Sequence, residues 1–178
     1  MSKFVLVITG PAGSGKSAVA KKLASSLDKC ANIDADHIKH MIYSGFSYKL
    51  LPDGTKKWAY SEWALVGESI GLLAKNFQEH SFDVIINGYI DPPGWENIEK
   101  QIAITHKVLL LPDVATTIHR DSLRLEDYPM GKNIVKMHHD HFSKETFYKD
   151  FTKVDTTNLS VEETASKIKT MLIVWLVF

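Results

Sequence analysis

The chain has 178 residues, 44% hydrophobic and 24% charged, the proportions of a globular protein able to bury a core without disulfide or metal staples. Lys plus Arg and Asp plus Glu both number 21, so the formal net charge is zero and the composition argues against a nucleic-acid-coating or polybasic membrane-binding protein. The single cysteine, Cys30, excludes an intramolecular disulfide and fits a reducing, cytoplasmic setting.

Strand-like apolar runs alternate with helical patterns along one domain, 1–178, which indicates an α/β fold with a largely parallel sheet. Strands are expected at 3–9, about 30–34, 82–87, 106–111 and about 150–154; runs apolar throughout suit strands covered on both faces. Helices are expected from Gly15 to about Leu27, from near Asp36, and over about 56–80, where Ala59, Trp63, Val66, Ile70, Leu73 and Phe77 form a stripe. Asp91, followed by Pro92 and Pro93, reads as a helix start, as do Asp113 and either Asp127 or Gly131. Ser160-Val-Glu-Glu163 is a capping-box candidate. Met171 to Phe178 is eight apolar residues, too short to span a bilayer. It reads as a last turn or strand on the core, or as a tail making a homodimer contact or touching a membrane.

The first strand runs into GPAGSGKS at 10–17, which fits G-x-x-x-x-G-K-[ST] with Gly10, Gly15, Lys16 and Ser17 at the fixed positions. After Pro11, which has no N–H, the backbone N–H groups of Ala12, Gly13 and Ser14 can curl around phosphates where glycine permits positive φ. The next helix aims its N-terminus at the same anion. Lys16 can bridge the β- and γ-phosphates, and the Ser17 hydroxyl can ligate Mg²⁺. A GTPase would need N-K-x-D, which is absent; Asp91-Pro-Pro-Gly94 fits D-x-x-G but carries helix-start chemistry. A motor ATPase would need further domains or a ring.

The second strand ends Asn32-Ile-Asp34-Ala-Asp36-His37, with two carboxylates at the edge where ligands bind in open α/β sheets. Asp34 is assigned to Mg²⁺ and Asp36 to the proton of an attacking hydroxyl; the plain alternative is that Asp36 caps the next helix. Arg120 and Arg124 lie four apart on one helix face and can clamp a transferring phosphoryl group. The turn-rich segment after them, within about 120–135, reads as a short lid that excludes water. His138 and His141 share a helix face without a further ligand and read better as a solvated or lid-associated helix than as a metal site.

The phosphate loop, the D-x-D after strand two and the R-x-x-x-R after strand four together resemble the P-loop small-molecule kinases grouped with shikimate kinase, gluconate kinase and nucleoside monophosphate kinases. The likeness is greatest to the chloramphenicol phosphotransferase-like branch and covers nearly the whole chain. It implies a three-layer sandwich with a five-stranded parallel sheet in the order 2-3-1-4-5, helices on both faces, ATP as donor with Mg²⁺, and a lid of arginines. It also implies that Asp155 to Asn158, Thr157 among them, lie beside the adenine, with Arg120 on its other side. One departure is that Asn87 stands where the strand beside the loop often carries a carboxylate.

The acceptor is expected between Asp36, the helix after it and the loop after the third strand, with His37, Met41, Tyr43, Phe46, Trp58, Tyr60, Trp63, Asn87, Tyr89 and Trp95 as candidate walls. Aromatic rings with few positive charges lean toward a neutral hydroxylated compound, an antibiotic or nucleoside. Trp63 falls on the core stripe. Three readings stand at this point: a kinase for a small alcohol, a nucleoside or nucleotide kinase, and a nucleotide-binding sensor that lost transfer chemistry.

Overall fold

The computed structural model describes residues 3–45, 47–50, 52, 56–58, 60–124 and 129–175. The elements follow in chain order: β1 (Val5–Thr9), α1 (Lys16–Ser25), β2 (Cys30–Asp34), α2 (Ala35–His40), β3 (Tyr48–Leu50), β4 (Lys56–Trp58), α3 (Tyr60–Glu79), β5 (Asp83–Asn87), α4 (Pro92–Gln101), β6 (His106–Leu110), α5 (Val114–Ser122), α6 (Lys132–Lys144), a 3₁₀ turn (Thr146–Tyr148), β7 (Thr152–Val154) and α7 (Val161–Trp175).

β1, β2, β5, β6 and β7 form one parallel sheet in the order β2-β5-β1-β6-β7. Counted within that sheet, the order is the expected 2-3-1-4-5. The chain moves outward to β2, then crosses back over β1 to reach β6. The crevice of the sheet therefore opens at the carboxyl end of β1, where the glycine-rich loop begins.

Both faces of the sheet are covered, which explains strands apolar at every position. Val5, Val7, Val84, Ile86 and Leu109 point into a core shared with Trp63, Val66 and Ile70 of α3 and Trp95 and Ile98 of α4. Leu6, Ile8, Ile85, Val108 and Leu110 point the other way, onto Val19 and Leu23 of α1 and Ala165, Ile168 and Leu172 of α7.

The third helix differs from expectation at both ends of its argument. It starts at Tyr60, because 56–58 forms β4 and pairs antiparallel with β3, Tyr48 opposite Trp58. Leu73 is 38% exposed, while Ala74 is fully buried. The cause is a close crossing of α3 on α4: a Cβ at Gly67 would stand 2.1 Å from the Gly94 carbonyl oxygen. Beside Trp63, Val66 and Ile70, the buried face therefore carries Gly67, Gly71 and Ala74, small residues where α4 crosses close by. Ala59 lies outside the described residues.

The capping box forms as expected. Glu163 accepts from the Ser160 N–H at 2.8 Å, and the Ser160 hydroxyl accepts from the Glu163 N–H at 3.1 Å. Ser160→Ala should cost about 1 kcal/mol, seen in thermal denaturation as a fall in Tm of about 2–4 °C. An unchanged Tm would mean the box adds nothing to α7. That helix carries the apolar tail as far as Trp175, with Leu172 buried and Ile173 exposed; 176–178 lie outside the described residues. Among the described residues no helix is long and apolar enough to cross a membrane.

Candidate active site

The glycine-rich loop is a tight turn at the carboxyl end of β1. Ser14 donates its N–H to the Pro11 carbonyl at 3.1 Å, and α1 begins with Gly15 accepting from the Val19 N–H at 2.9 Å. Gly13 and Gly15 hold φ of +82° and +87°, the left-handed region that glycine tolerates. The loop is seated between β6 and α5: a Cβ on Gly10 would meet the Leu110 carbonyl oxygen at 2.3 Å, and one on Gly13 the Thr117 carbonyl oxygen at 2.3 Å. A Cβ on Gly15 would meet open space.

Lys16 is buried, and its ammonium donates to the Pro11 carbonyl at 3.4 Å. Burial lowers its pKa, helped by the Arg124 charge and opposed by Asp36 and Asp34. These side chains therefore share one neighbourhood. The Ser14 hydroxyl is buried on the Gly10 side of the loop with no hydrogen-bond partner.

Two recesses meet at this loop. One, of about 240 Å³, is lined by Gly13, Gly15, Lys16, Ser17, Ala18, Arg120 and Arg124. The other, of about 260 Å³, is lined by Ser14, Gly15, Val19, Arg120, Thr156, Leu159, Ser160, Val161 and Thr164. Gly15 and Arg120 belong to both. The first is cationic and suits phosphates; the second is largely apolar and suits a flat base. A larger recess, of about 490 Å³, lies at the opposite end of the sheet beside His106 and Thr152, remote from these groups.

The arginine pair divides its work. Arg120 donates to the Thr156 hydroxyl at 3.2 Å and to the carbonyls of Thr156 at 2.9 Å and Leu159 at 3.2 Å. Three bonds fix it as a wall of the apolar recess, beside the loop after β7. Arg124 holds a 3.5 Å ion pair with buried Asp121, and its charge is felt at Lys16, so it is the cation of the pair less tied to the loop after β7. Thr157 is not among the lining residues. Its hydroxyl accepts from the Asp113 N–H at 2.8 Å and donates to Asp155 at 2.6 Å, while Thr156 supplies the wall. The segment expected as a lid enters the described residues only at its ends, since 125–128 lie outside them; Gly131 donates its N–H to Asp121 at 3.1 Å.

On the far side of Lys16 stand the carboxylates. Asp34, not Asp36, caps α2: its Oδ1 accepts from the Asp36 N–H at 2.9 Å. That leaves Asp36 free of capping and ion-paired to Lys39 at 2.9 Å. Burial raises the Asp36 pKa, but Lys39, Lys16 and His40 outweigh it and hold the carboxylate below its ordinary range. Lys39 in turn lies 5.7 Å from the ring of Trp63. Lys39 escaped the sequence reading, although an Asp and Lys three apart on a helix face is a readable pair.

Asn87 is wholly buried, donating to the Asn32 side chain at 3.1 Å and to the Ile33 carbonyl at 3.4 Å. It bridges β5 to the edge strand β2 and offers the crevice no charge. Tyr89 is half-buried; its hydroxyl donates to Asp91 at 2.8 Å, and its ring meets Trp63 edge-on at 5.6 Å. Burial, then Asp91, pushes the Tyr89 pKa up, so it stays a neutral donor. His37 is exposed beside Asp36, and Met41 and Tyr43 are 71% and 93% exposed, so none of the three is walled in. Trp95 is a correction: it is 2% exposed, packed on Phe147 at 5.6 Å and Phe151 at 5.5 Å, and belongs to the core. Phe46 and the side chains of Trp58 and Tyr60 lie outside the described residues.

Among the described residues no group of three His, Cys, Asp or Glu could hold a metal by itself. His141 is engaged by Tyr148 at 3.5 Å and Glu145 at 3.8 Å. A divalent ion at the loop would rest on exposed Ser17, the uncapped oxygen of Asp34 and the donor's phosphates, a set of hard oxygens that suits Mg²⁺.

No protein-family model and no curated protein matches the chain. Solved structures do. A tunicamycin resistance protein from Deinococcus radiodurans is 18% identical with a TM-score of 0.66, covering 96% of this chain and 95% of its own. A sugar kinase from a Janibacter species is 14% identical with a TM-score of 0.69, covering 96% and 95%. A shikimate kinase from Acinetobacter baumannii, in complex with shikimate, is 14% identical with a TM-score of 0.61, covering 97% and 94%. With its sheet order and phosphate loop, the chain has the fold of the P-loop kinases.

Proposed function

We propose that the protein is an ATP-dependent phosphotransferase that moves the γ-phosphoryl group of Mg-ATP to a hydroxyl of a small molecule. The observation that carries this is the placement of Asp36. A buried ammonium, Lys16, has an anion-sized cationic recess on one side and an ionised, uncapped carboxylate on the other. A hydrolase or a sensor does not need that second group.

The residues divide the reaction as follows. The loop N–H groups, Lys16 and Arg124 bind and neutralise the phosphates, and Arg120 with Thr156 and Leu159 flanks the base. Mg²⁺, bound through Ser17 and Asp34, supplies charge neutralisation at the phosphates. Asp36 orients the acceptor hydroxyl and takes its proton as the new P–O bond forms and the bond to the leaving ADP oxygen breaks. Asn87 positions β2 against β5, so Asp34 is the carboxylate left for the metal. Tyr89 presents a neutral face and a ring on the acceptor side, which leans toward an uncharged acceptor.

The test is ADP release from Mg-ATP with and without a panel of nucleosides, sugars, amino alcohols and antibiotics. Acceptor-stimulated release is expected with at least one class. ATP binding with no stimulation by any of them would favour the sensor reading, and a nucleoside alone among them would favour the nucleoside kinase.

A further inference from the structure

We propose that Asp121 of α5 is a positioning residue for the phosphate clamp: it holds the Arg124 guanidinium so that its terminal nitrogens are offered to the phosphate recess. This rests on the phosphotransferase reading, in which Arg124 binds the phosphates. Arg124 lines that recess, yet no helix places it there: α5 ends at Ser122, and Arg124 follows the C-cap residue Leu123. Past a helix end, a long side chain has many rotamers open to it. Asp121 narrows them twice. Its backbone carbonyl accepts from the Arg124 N–H at 3.2 Å, and its carboxylate Oδ1 stands 3.5 Å from the Arg124 Nε. A grip on Nε leaves the two terminal nitrogens for a phosphate, which they can meet as a fork.

Asp121 is itself fixed on both sides. Its Oδ2 accepts from the Gly131 N–H, at the start of α6, at 3.1 Å. Its backbone lies against the phosphate loop: a Cβ on Gly13 would stand 3.3 Å from the Asp121 nitrogen. One residue thus joins the loop, the start of α6 and the guanidinium.

The fold alone does not call for a charge here. Asp121 is 2% exposed, and among the described residues its Oδ1 makes no hydrogen bond; the cation it meets is the Arg124 guanidinium. The Gly131 N–H needs only an oxygen, which an asparagine would also offer. A buried carboxylate is costly unless a cation offsets it. That cation lines the phosphate recess. Holding a guanidinium in place accounts for the charge; holding the start of α6 does not.

The test is a double-mutant cycle on nucleotide binding. A non-hydrolysable ATP analogue and ADP, each with Mg²⁺, are titrated into the parent, Asp121→Asn, Arg124→Gln and the double variant. Asp121→Asn keeps an oxygen for the Gly131 N–H and loses the charge. Each single variant is expected to lower the preference for the analogue over ADP by about fivefold or more. In the Arg124→Gln background, Asp121→Asn should lower it by less than about twofold, because the residue it acts through is gone. A residue that only supported the fold would cost the same in both backgrounds. An equal loss in both, or no loss or a gain in Asp121→Asn alone, overturns the inference and leaves the nucleotide site standing. An undiminished preference in Arg124→Gln overturns the clamp and this inference with it. Should Asp121→Asn fail to fold, NMR of the parent decides. The Arg124 Nε–H resonance, assigned by its absence from Arg124→Gln, is expected to stay protected from exchange when the analogue binds; its release overturns the inference. Failure of the parent to bind either nucleotide overturns the phosphotransferase reading as well.

Discussion

Asp36→Asn is expected to lower acceptor-stimulated ADP release by about 10²- to 10⁴-fold, the usual worth of a positioned proton acceptor, while ATP binding holds or tightens. The reason for the second half is electrostatic. Asp36 is a negative charge near the phosphate site, coupled to Lys16 and paired to Lys39 at 2.9 Å. Removing it takes repulsion away from the incoming triphosphate. A group that merely supported the fold would lower binding and turnover together. The side effects are small, because α2 keeps its cap: that bond comes from Asp34 and is made to the backbone N–H of residue 36, which asparagine also has. The pH profile separates the roles further. The parent's Asp36 is ionised throughout the neutral range, since its pKa lies below the ordinary carboxylate value. Its acid limb should therefore fall below that of an unperturbed aspartate. Equal turnover in the variant with an active acceptor would remove Asp36 from the chemistry and leave it as the partner of Lys39.

What the sequence disclosed was what depends on neighbours along the chain. The phosphate loop, β2 at 30–34 and the Ser160–Glu163 box are local patterns, each fixed by spacing and residue type. What it concealed depends on neighbours across space. Counting large apolar residues put Leu73 in the stripe of α3, whereas the helix buries Gly67, Gly71 and Ala74, because glycine on one helix admits the backbone of the other. Periodicity also carried the helix back across 56–58, where strand pairing wins. At the site, the four-residue spacing of Arg120 and Arg124 predicted a shared helix face, but α5 ends at Ser122 and Arg124 lies past its C-cap; the two still line one recess, and the spacing gave no sign that Thr156 and Leu159 would claim Arg120. The cap on α2 went to Asp34, the last residue of β2, not to Asp36, the third in the motif. His138 was readable only as part of a histidine run; that its ring lies parallel to that of Tyr89 comes from the packing of α6.

Gly13→Ala should damage the fold far more than Gly15→Ala, and what each methyl meets shows why. Both residues hold left-handed φ, +82° and +87°, so each alanine carries a backbone strain of about 1–2 kcal/mol. They differ in what the methyl meets. At position 13 it would stand 2.3 Å from the Thr117 carbonyl oxygen and 3.3 Å from the Asp121 N–H nitrogen, both backbone atoms of α5 that cannot swing aside. Overpacking adds about 1–3 kcal/mol, for a total of about 2–5 kcal/mol and a fall in Tm of about 4–20 °C at the sensitivity of a chain this size. Relief by moving α5 would carry Arg120 and Arg124 off the phosphate recess, so nucleotide binding should fail together with stability. At position 15 the methyl meets nothing within 4 Å. That residue lines both recesses, so its cost should fall on the ligand: about tenfold or more in nucleotide affinity from disturbed N–H contacts to phosphate, with only the strain lost from the fold. Thermal denaturation and nucleotide titration of the two variants side by side check the contrast. If Gly15→Ala unfolded more readily than Gly13→Ala, the seat of the loop on α5 would not be what holds it, and the coupling between the loop and the arginine helix would have to be sought elsewhere.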